Sequence, residues 1–360
     1  MGELRLMKGN EVIAEAAVRC GCDGYFGYPI TPQSEVMETL MALEPWNTTG
    51  MVVLQAESEI ASINMVYGGA STGKRCMTSS SSPGISLMSE GLSYLAGAEL
   101  PCLVVNVSRG GPGLGTIQPS QADYFQATKG GGHGDYNLIV LAPNSVQEMH
   151  DFVFLGFDLA FKYRNPAMIL ADGVIGQMME KVELAPQRPR RTNEEIQQIS
   201  GDWAVTGKKN RNRHTITSVD LDPLSHERFN HKLQAKYAEM RKNEVRYEEV
   251  MCEDAEYLIV AYGISSRISQ KAIEILRAEG VKVGLLRPIT LFPFPQEQMA
   301  ERASQLKGIL CVESSAGQMI EDVRLAVGNQ MKVAHFGRLG GVIHTPNEVV
   351  DAMKNLVIKS

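Results

Sequence analysis

The first half of the chain alternates short apolar runs with longer amphipathic stretches, and this alternation constrains the fold more than any other feature. The runs at 102–107 and 137–141 are apolar enough for strands buried on both faces. Such strands, separated by helices, are typical of a parallel sheet covered on both sides. The pattern therefore predicts a doubly wound α/β unit. Its predicted strands are 24–28, 51–54, 75–79, 102–107, 137–141 and 167–171, and its predicted helices are 9–20, 32–43, 57–71, 85–95 and 145–162.

The chain has 360 residues, which suits two or three domains at about 100–200 residues each. Residues 1–186 hold the doubly wound unit. Apolar periodicity weakens over 187–250, so we expect a surface loop and a connecting helix there. Residues 251–360 again alternate strands and helices, which predicts a second, smaller α/β domain.

Composition excludes several classes of protein. The formal net charge of −6 gives no basic field for a nucleic acid. None of the six cysteines forms a C-x-x-C pair, so we expect no metal site or iron–sulfur cluster on this chain, and we expect Cys20 and Cys22 to be buried free thiols. With no apolar run near the ~20 residues of a membrane span and no secretory signal, the sequence predicts a cytoplasmic protein without a membrane anchor.

Residues that follow strands are the first candidates for a functional site, because ligands of open α/β sheets bind beyond the carboxyl ends of the strands. The first such segment is Tyr28-Pro29-Ile30-Thr31-Pro32. Thr31 suits an N-cap with Pro32 at the first helical position. Alternatively, the two prolines hold its hydroxyl rigidly toward an anionic or carbonyl ligand.

Glu59 follows the strand predicted at 51–54. It shares a helical stripe with Ile63, Val66 and Ala70, so its carboxylate lies on the face that packs inward. Either it accepts hydrogen bonds at the start of the helix, or it exchanges a proton with the ring nitrogen of a ligand. Glu57 suits a solvent-facing charge.

Two further segments are candidates. A turn of small and hydroxyl residues at 78–84 permits close approach by a ligand. Arg109 ends the strand predicted at 102–107, where its guanidinium suits either a substrate carboxylate or a structural ion pair.

The glycines after Arg109 lack the dinucleotide-binding spacing, which argues against a nicotinamide dehydrogenase. His133, in a glycine-rich stretch, suits a simple exposed loop histidine.

Together these residues resemble the alpha-type subunits of 2-oxoacid:ferredoxin oxidoreductases over nearly the whole chain. The Tyr28-Pro29-Ile30-Thr31-Pro32 segment matches the YPITP signature of that family, and Glu59, the Ser82-Pro83-Gly84 turn and Arg109 follow in order. The segments 7–11 and 28–36 look most like members that act on 3-methyl-2-oxobutanoate (2-ketoisovalerate). The resemblance leaves 2-oxoglutarate and pyruvate as alternative substrates.

The resemblance implies that residues 1–186 bind the aminopyrimidine half of thiamine diphosphate and that 251–360 are similar to the transketolase C-terminal domain. Glu59 would contact the pyrimidine nitrogen, Thr31 would hydrogen-bond the substrate, and Arg109 would neutralise its carboxylate. The expected catalytic residues are Glu59, Thr31 and Arg109, and the expected cofactor-binding residues are Tyr28, Pro29, Ile30, Thr31, Glu59, Ser82, Pro83 and Gly84.

The resemblance also implies partners. The sequence lacks the Gly-Asp-Gly motif of thiamine enzymes as well as cluster cysteines. The diphosphate, Mg²⁺ and iron–sulfur clusters are therefore expected on a beta-type subunit and other partners. These partners would include a gamma-type subunit, a ferredoxin-like delta subunit and ferredoxin, in a dimer of hetero-oligomers that uses coenzyme A. The competing hypothesis is a scaffold subunit that does not shape the active site.

Overall fold

The computed structural model describes residues 3–209 and 211–359, and its strands form three sheets. The strands are β1 (Glu3–Lys8), β2 (Gly24–Gly27), β3 (Val52–Gln55), β4 (Cys76–Ser80), β5 (Leu103–Ser108), β6 (Ile139–Leu141), β7 (Ala167–Asp172), β8 (Met179–Leu184), β9 (Tyr247–Val250), β10 (Tyr257–Val260), β11 (Val283–Pro288), β12 (Thr290–Phe292), β13 (Gly308–Glu313) and β14 (Val333–Gly337).

The helices pack on the faces of these sheets. They are α1 (Gly9–Arg19), α2 (Ser34–Leu43), α3 (Pro45–Thr48), α4 (Glu59–Ser71), α5 (Ser82–Gly97), α6 (Tyr124–Thr128), α7 (Val146–Tyr163), α8 (Gly173–Gln177), α9 (Asn193–Ser200), α10 (Pro223–Asn243), α11 (Gly263–Ala278), α12 (Gln296–Ala303), α13 (Met319–Val327) and α14 (Pro346–Met353). A 3₁₀ turn (Gly328–Gln330) and a π-helical turn (Lys354–Ile358) complete the secondary structure of the described residues.

The largest sheet has seven strands in the order β12-β6-β7-β5-β4-β2-β3. Six of them are parallel, and β12, from the second half of the chain, adds an antiparallel edge beside β6. Every residue of β4, β5 and β7 is buried, because helices cover both faces of the sheet. The predicted doubly wound α/β unit is confirmed.

A second sheet has five strands in the order β14-β13-β10-β11-β9, of which only β9 runs antiparallel. Its core is smaller and contains Ile259, Leu285, Leu310 and Val349. The second α/β unit predicted from the sequence is confirmed.

Some local predictions were wrong. The antiparallel pair of β1 and β8 was not predicted, because β1 is largely exposed and therefore lacks the apolar run of a buried strand. Helix α2 begins at Ser34 rather than at residue 32, and Gln33 occupies the N-cap position without a side-chain bond to the first turn of the helix. Thr31 is therefore not a helix cap.

The buried side chain of Gln121 makes three hydrogen bonds between the two halves of the chain. Its Oε1 accepts from the Ser314 amide at 2.8 Å and from the Ser265 hydroxyl at 2.6 Å, and its Nε2 donates to the Tyr262 carbonyl at 2.8 Å. Gln121 is 2% exposed, so water cannot replace these partners.

We expect Gln121→Ala to lower the free energy of unfolding by about 2–4 kcal/mol, because it leaves several buried polar groups unpaired. Gln147 is the matched control, since it also makes three hydrogen bonds but lies near the surface. Gln147→Ala should cost less than about 1 kcal/mol. Urea unfolding of both variants checks this, and equal losses would contradict it.

Candidate functional site

The candidate residues gather at one end of the seven-stranded sheet. β4 lies between β2 and β5, so the segments that follow these three strands are neighbours. Thr31 follows β2, Ser82 follows β4 and Arg109 follows β5. Glu59 begins α4, after β3. The structure therefore brings together all the segments that the sequence singled out, apart from the one that carries His133.

The segment after β2 is held by three amide side chains, of which Asn10 and Gln33 are buried and Gln177 is exposed. Asn10 Nδ2 donates to the Pro32 carbonyl at 2.7 Å, and Gln177 Nε2 reaches the same oxygen at 3.2 Å. Gln33 Nε2 donates to the Tyr28 carbonyl at 3.2 Å. These bonds fix the backbone while the side chains face outward: Pro29 and Thr31 are exposed, and Tyr28 and Ile30 are half-buried.

Glu59 is buried without a partner. It is 6% exposed, and among the described residues no hydrogen bond or ion pair reaches its carboxylate. The Ser58 hydroxyl caps α4 instead, accepting from the Ala61 amide at 3.2 Å. The interpretation that the Glu59 carboxylate accepts hydrogen bonds at the start of its helix is therefore wrong.

Gly84 leaves room for that carboxylate. A Cβ at position 84 would lie 2.7 Å from Glu59 Oε1 and 2.0 Å from Ser80 Oγ. Within the described chain, the buried hydroxyls of Thr78, Ser80 and Ser81 also have no partner. Buried polar groups are normally paired, so this cluster suits a polar ring that this chain does not itself supply. It fits the pyrimidine of thiamine diphosphate.

Arg109 bridges two loops. Its Nη1 donates to the Thr31 carbonyl at 2.8 Å and its Nη2 to the Leu114 carbonyl at 3.1 Å. The side chain is buried, its Nε has no partner, and no acidic side chain of the described residues pairs with it. The structural ion pair considered for Arg109 is therefore wrong, and its charge stays available for an anion.

Ser82 and Asp123 support the Arg109 backbone. The Arg109 amide donates to Ser82 Oγ at 2.9 Å, and Ser82 Oγ donates to Asp123 Oδ2 at 2.7 Å. Asn106 Nδ2 donates to the same oxygen at 2.8 Å. Burial raises the pKa of the Asp123 carboxyl, while the bonds from Ser82 and Asn106 oppose the shift. Sequence reasoning missed Asp123, which belongs to no recognisable local motif.

Other candidates lie apart from this site. His133 is exposed and contacts Tyr94, near the far end of α5, with 6.4 Å between ring centroids. All six cysteines are buried and free, and burial raises the pKa of Cys20 to about 12. No group of three or more His, Cys, Asp or Glu side chains within 3–209 and 211–359 is arranged to hold a metal ion. In those same ranges, no helix has the length and apolar composition to cross a membrane.

Two family models match the chain. Residues 15–250 match the thiamine diphosphate-binding domain of pyruvate flavodoxin/ferredoxin oxidoreductases, and residues 255–349 match core domain II of pyruvate:ferredoxin oxidoreductase. The first match alone covers more than half of the 360 residues. The chain belongs to the 2-oxoacid:ferredoxin oxidoreductase family. Its members are oxidoreductases, and this family uses a thiamine diphosphate-binding domain.

Relatives within the 2-oxoacid:ferredoxin oxidoreductase family match end to end. Ketoisovalerate oxidoreductase subunit VorB of Methanothermobacter marburgensis is 50% identical, with 99% of each chain covered. The 2-oxoglutarate synthase subunit KorA of Methanothermobacter thermautotrophicus is 35% identical, over 100% of this chain and 99% of its own. Both relatives are named as subunits, so members of this kind work in multi-subunit enzymes.

Solved structures agree with this membership. The 2-oxoglutarate:ferredoxin oxidoreductase of Magnetococcus marinus, solved with 2-oxoglutarate, coenzyme A and succinyl-CoA, matches with a TM-score of 0.86 at 29% identity. The match covers 98% of this chain but 65% of that one, so this chain spans just under two thirds of the solved chain. A split-gene transketolase shares the fold, with a TM-score of 0.59 at 14% identity.

We expect Gly84→Ala to lower the free energy of unfolding by about 1–3 kcal/mol, because the added methyl group overpacks the space beside Glu59. Gly68 provides the control in α4: it is exposed, and a Cβ there meets nothing within 4 Å. Gly68→Ala should raise stability by about 0.5–1 kcal/mol. Thermal and urea unfolding measure both changes, and a stable Gly84→Ala would contradict the packing argument.

Proposed function

We propose that this chain is the pyrimidine-binding, alpha-type subunit of a thiamine diphosphate-dependent enzyme that converts 3-methyl-2-oxobutanoate and coenzyme A to the acyl-CoA and carbon dioxide. Electrons pass to ferredoxin. One observation carries the proposal: Glu59, after β3, and Arg109, after β5, are buried at the same end of the seven-stranded sheet, and neither has a partner of opposite charge among the described residues. The 50% identity to a ketoisovalerate oxidoreductase subunit supports the substrate.

Each side chain has a proposed role. When bound, thiamine diphosphate supplies a nucleophilic carbon and an electron sink for decarboxylation. Glu59 holds a proton at the pyrimidine nitrogen, with Tyr28, Pro29, Ile30 and the Ser82-Pro83-Gly84 segment lining the ring. This segment, predicted as a turn, is the first turn of α5. Arg109 binds the substrate carboxylate, and the exposed Thr31 hydroxyl hydrogen-bonds the substrate beside it.

Arg109 has enough donors for this role. A guanidinium carries five N–H groups, and Arg109 gives one to each of two carbonyls. One further N–H remains on each of Nη1 and Nη2, whereas the Nε–H is buried without a partner. Two guanidinium donors suffice to hold a carboxylate through both oxygens.

Partner subunits are proposed to complete the site. Three apolar side chains close in sequence to Glu59 or to the start of α5 are exposed: Leu54 is 41% exposed, Ile60 50% and Leu87 52%. Exposed apolar side chains grouped around a polar centre are typical of an interface. We assign the diphosphate, Mg²⁺ and iron–sulfur clusters to the beta-type subunit and its gamma and delta partners, in a cytoplasmic dimer of hetero-oligomers.

The proposal divides the chain as the sequence does. Residues 1–186 form the pyrimidine-binding domain, 187–250 the loop and connecting helix, and 251–360 the transketolase C-terminal-like domain. The separate seven-stranded and five-stranded sheets support two α/β units, with two exceptions to these boundaries: β9 (Tyr247–Val250) pairs with β11 of the second sheet, and β12 (Thr290–Phe292) pairs with β6 of the first.

The complex isolated on this chain from its native cells, kept anaerobic, tests the function. We expect reduction of a low-potential dye that requires 3-methyl-2-oxobutanoate, coenzyme A and thiamine diphosphate together. Pyruvate and 2-oxoglutarate, tested in parallel, should support slower reduction. An intact, cluster-containing complex that is inactive with every 2-oxo acid would refute the proposal and favour a scaffold subunit.

Glu59→Gln separates a catalytic subunit from a scaffold. An amide cannot hold the proton at the ring nitrogen, so we expect the rate to fall by about 10²–10⁴-fold while the complex stays assembled. Glu57→Gln is the control, because Glu57 is an exposed carboxylate two residues away, and it should retain full activity. Dye reduction and size-exclusion chromatography measure the two properties. Full activity of Glu59→Gln would rule out the catalytic role.

A further inference from the structure

The turn after Arg109 presents apolar side chains to solvent on a fixed backbone. Leu114 is 82% exposed and Ile117 56%. The Thr116 amide donates to the Gly110 carbonyl at 2.8 Å, which closes the turn. A Cβ at Gly115, whose φ is +58°, would lie 1.8 Å from that carbonyl. Only glycine allows this closure, so the turn has one defined shape.

A loop from the second half of the chain supports the same turn. A Cβ at Gly110 would lie 3.0 Å from the Gly341 amide nitrogen, and one at Gly341 would lie 2.4 Å from Gln118 Cβ. The two backbones are therefore in direct contact. The backbone of the turn therefore holds Leu114 in its exposed position, because the turn is closed by its own hydrogen bond and packs against the loop that contains Gly341.

Leu114 also lies directly beside the guanidinium of Arg109. Its carbonyl accepts from Arg109 Nη2 at 3.1 Å, while Nη1 binds the Thr31 carbonyl at 2.8 Å. A ligand carboxylate held by the remaining Arg109 donors would therefore lie near the Leu114 backbone, which carries the exposed leucine side chain. An isolated exposed leucine needs no explanation, but this one adjoins a buried cation that has no acidic partner among the described residues.

We propose that Leu114 contacts the aliphatic side chain of the 2-oxo acid whose carboxylate Arg109 binds, and so determines which 2-oxo acids this chain accepts. This inference rests on the proposed function. Apolar contact favours a branched or straight aliphatic group. A substrate with a second carboxylate would have to desolvate that carboxylate where it contacts the leucine, and the cost of desolvation opposes its binding.

Leu114→Asn in the assembled complex tests the assignment, since it replaces an apolar group by a polar one of similar size. We expect kcat/KM for 3-methyl-2-oxobutanoate to fall roughly tenfold or more. The kcat/KM for pyruvate should change by less than about twofold, because its methyl group makes little contact. The kcat/KM for 2-oxoglutarate should rise. Leu339→Asn is the control. Leu339 is 59% exposed near Gly340 on the supporting loop, and the substrate ratios should not change.

A second readout does not depend on turnover. 3-Methylbutanoate has the carboxylate and the branched chain but no oxo group, and saturation-transfer NMR reports its methyl groups on the complex. We expect weaker transfer in Leu114→Asn and unchanged transfer in Leu339→Asn.

Several outcomes would overturn the inference. Equal changes for all three substrates, an unchanged ratio, or loss of complex assembly in Leu114→Asn would each assign Leu114 to a role other than substrate selection. Each of these requires an active wild-type complex. A wild-type complex inactive with every 2-oxo acid would instead refute the proposed function, and this inference with it.

Discussion

The candidate site depends on the guanidinium of Arg109, which donates to two backbone carbonyls from separate loops. The Thr31 carbonyl belongs to the segment after β2, and the Leu114 carbonyl to the turn after β5. β4 lies between these strands in the sheet, so a bridge across their ends needs a side chain of this length and shape. A planar fork with several donors joins two carbonyls and keeps further N–H groups for a ligand, which an ammonium group on a flexible stem does less well.

Opposite charges are buried in this site without pairing with each other. Glu59 and Arg109 are 6% and 9% exposed, and among the described residues neither forms an ion pair. Burying an unpaired ion costs several kcal/mol even after the protein relaxes, so a chain that served only as a scaffold would gain stability by replacing them. The arrangement is understandable where ligands complete it: a ring nitrogen at Glu59 and a carboxylate at Arg109. Under the proposed function, the binding energy of those ligands would offset the cost.

Sequence patterns predicted the two sheets because buried parallel strands are apolar along their whole length, as in β5 and β7. They missed β12, whose three residues join the first sheet only through tertiary contact with β6. Chemistry-bearing residues at strand ends were also predictable, since the topology of the sheet brings those ends together. The supports Asn10, Gln33 and Asp123 were not, because they have partners far away in the sequence, in Pro32, Ser79 and Asn106 respectively, and no local spacing marks them.

The second half of the chain acts on the site through the segment 110–123. Gln121 binds groups in the second half on one side of this segment, and Gly110 packs against Gly341 on the other. A turn held at both ends cannot adapt to different substrates by moving, so its side chains must provide the adaptation. Arg109 would bind the carboxylate that all 2-oxo acids share. Leu114, whose carbonyl accepts a hydrogen bond from Arg109, would contact the side chain that differs between them. If both proposals hold, a substitution at one exposed residue would change the substrate while the chemistry at Glu59 stayed the same.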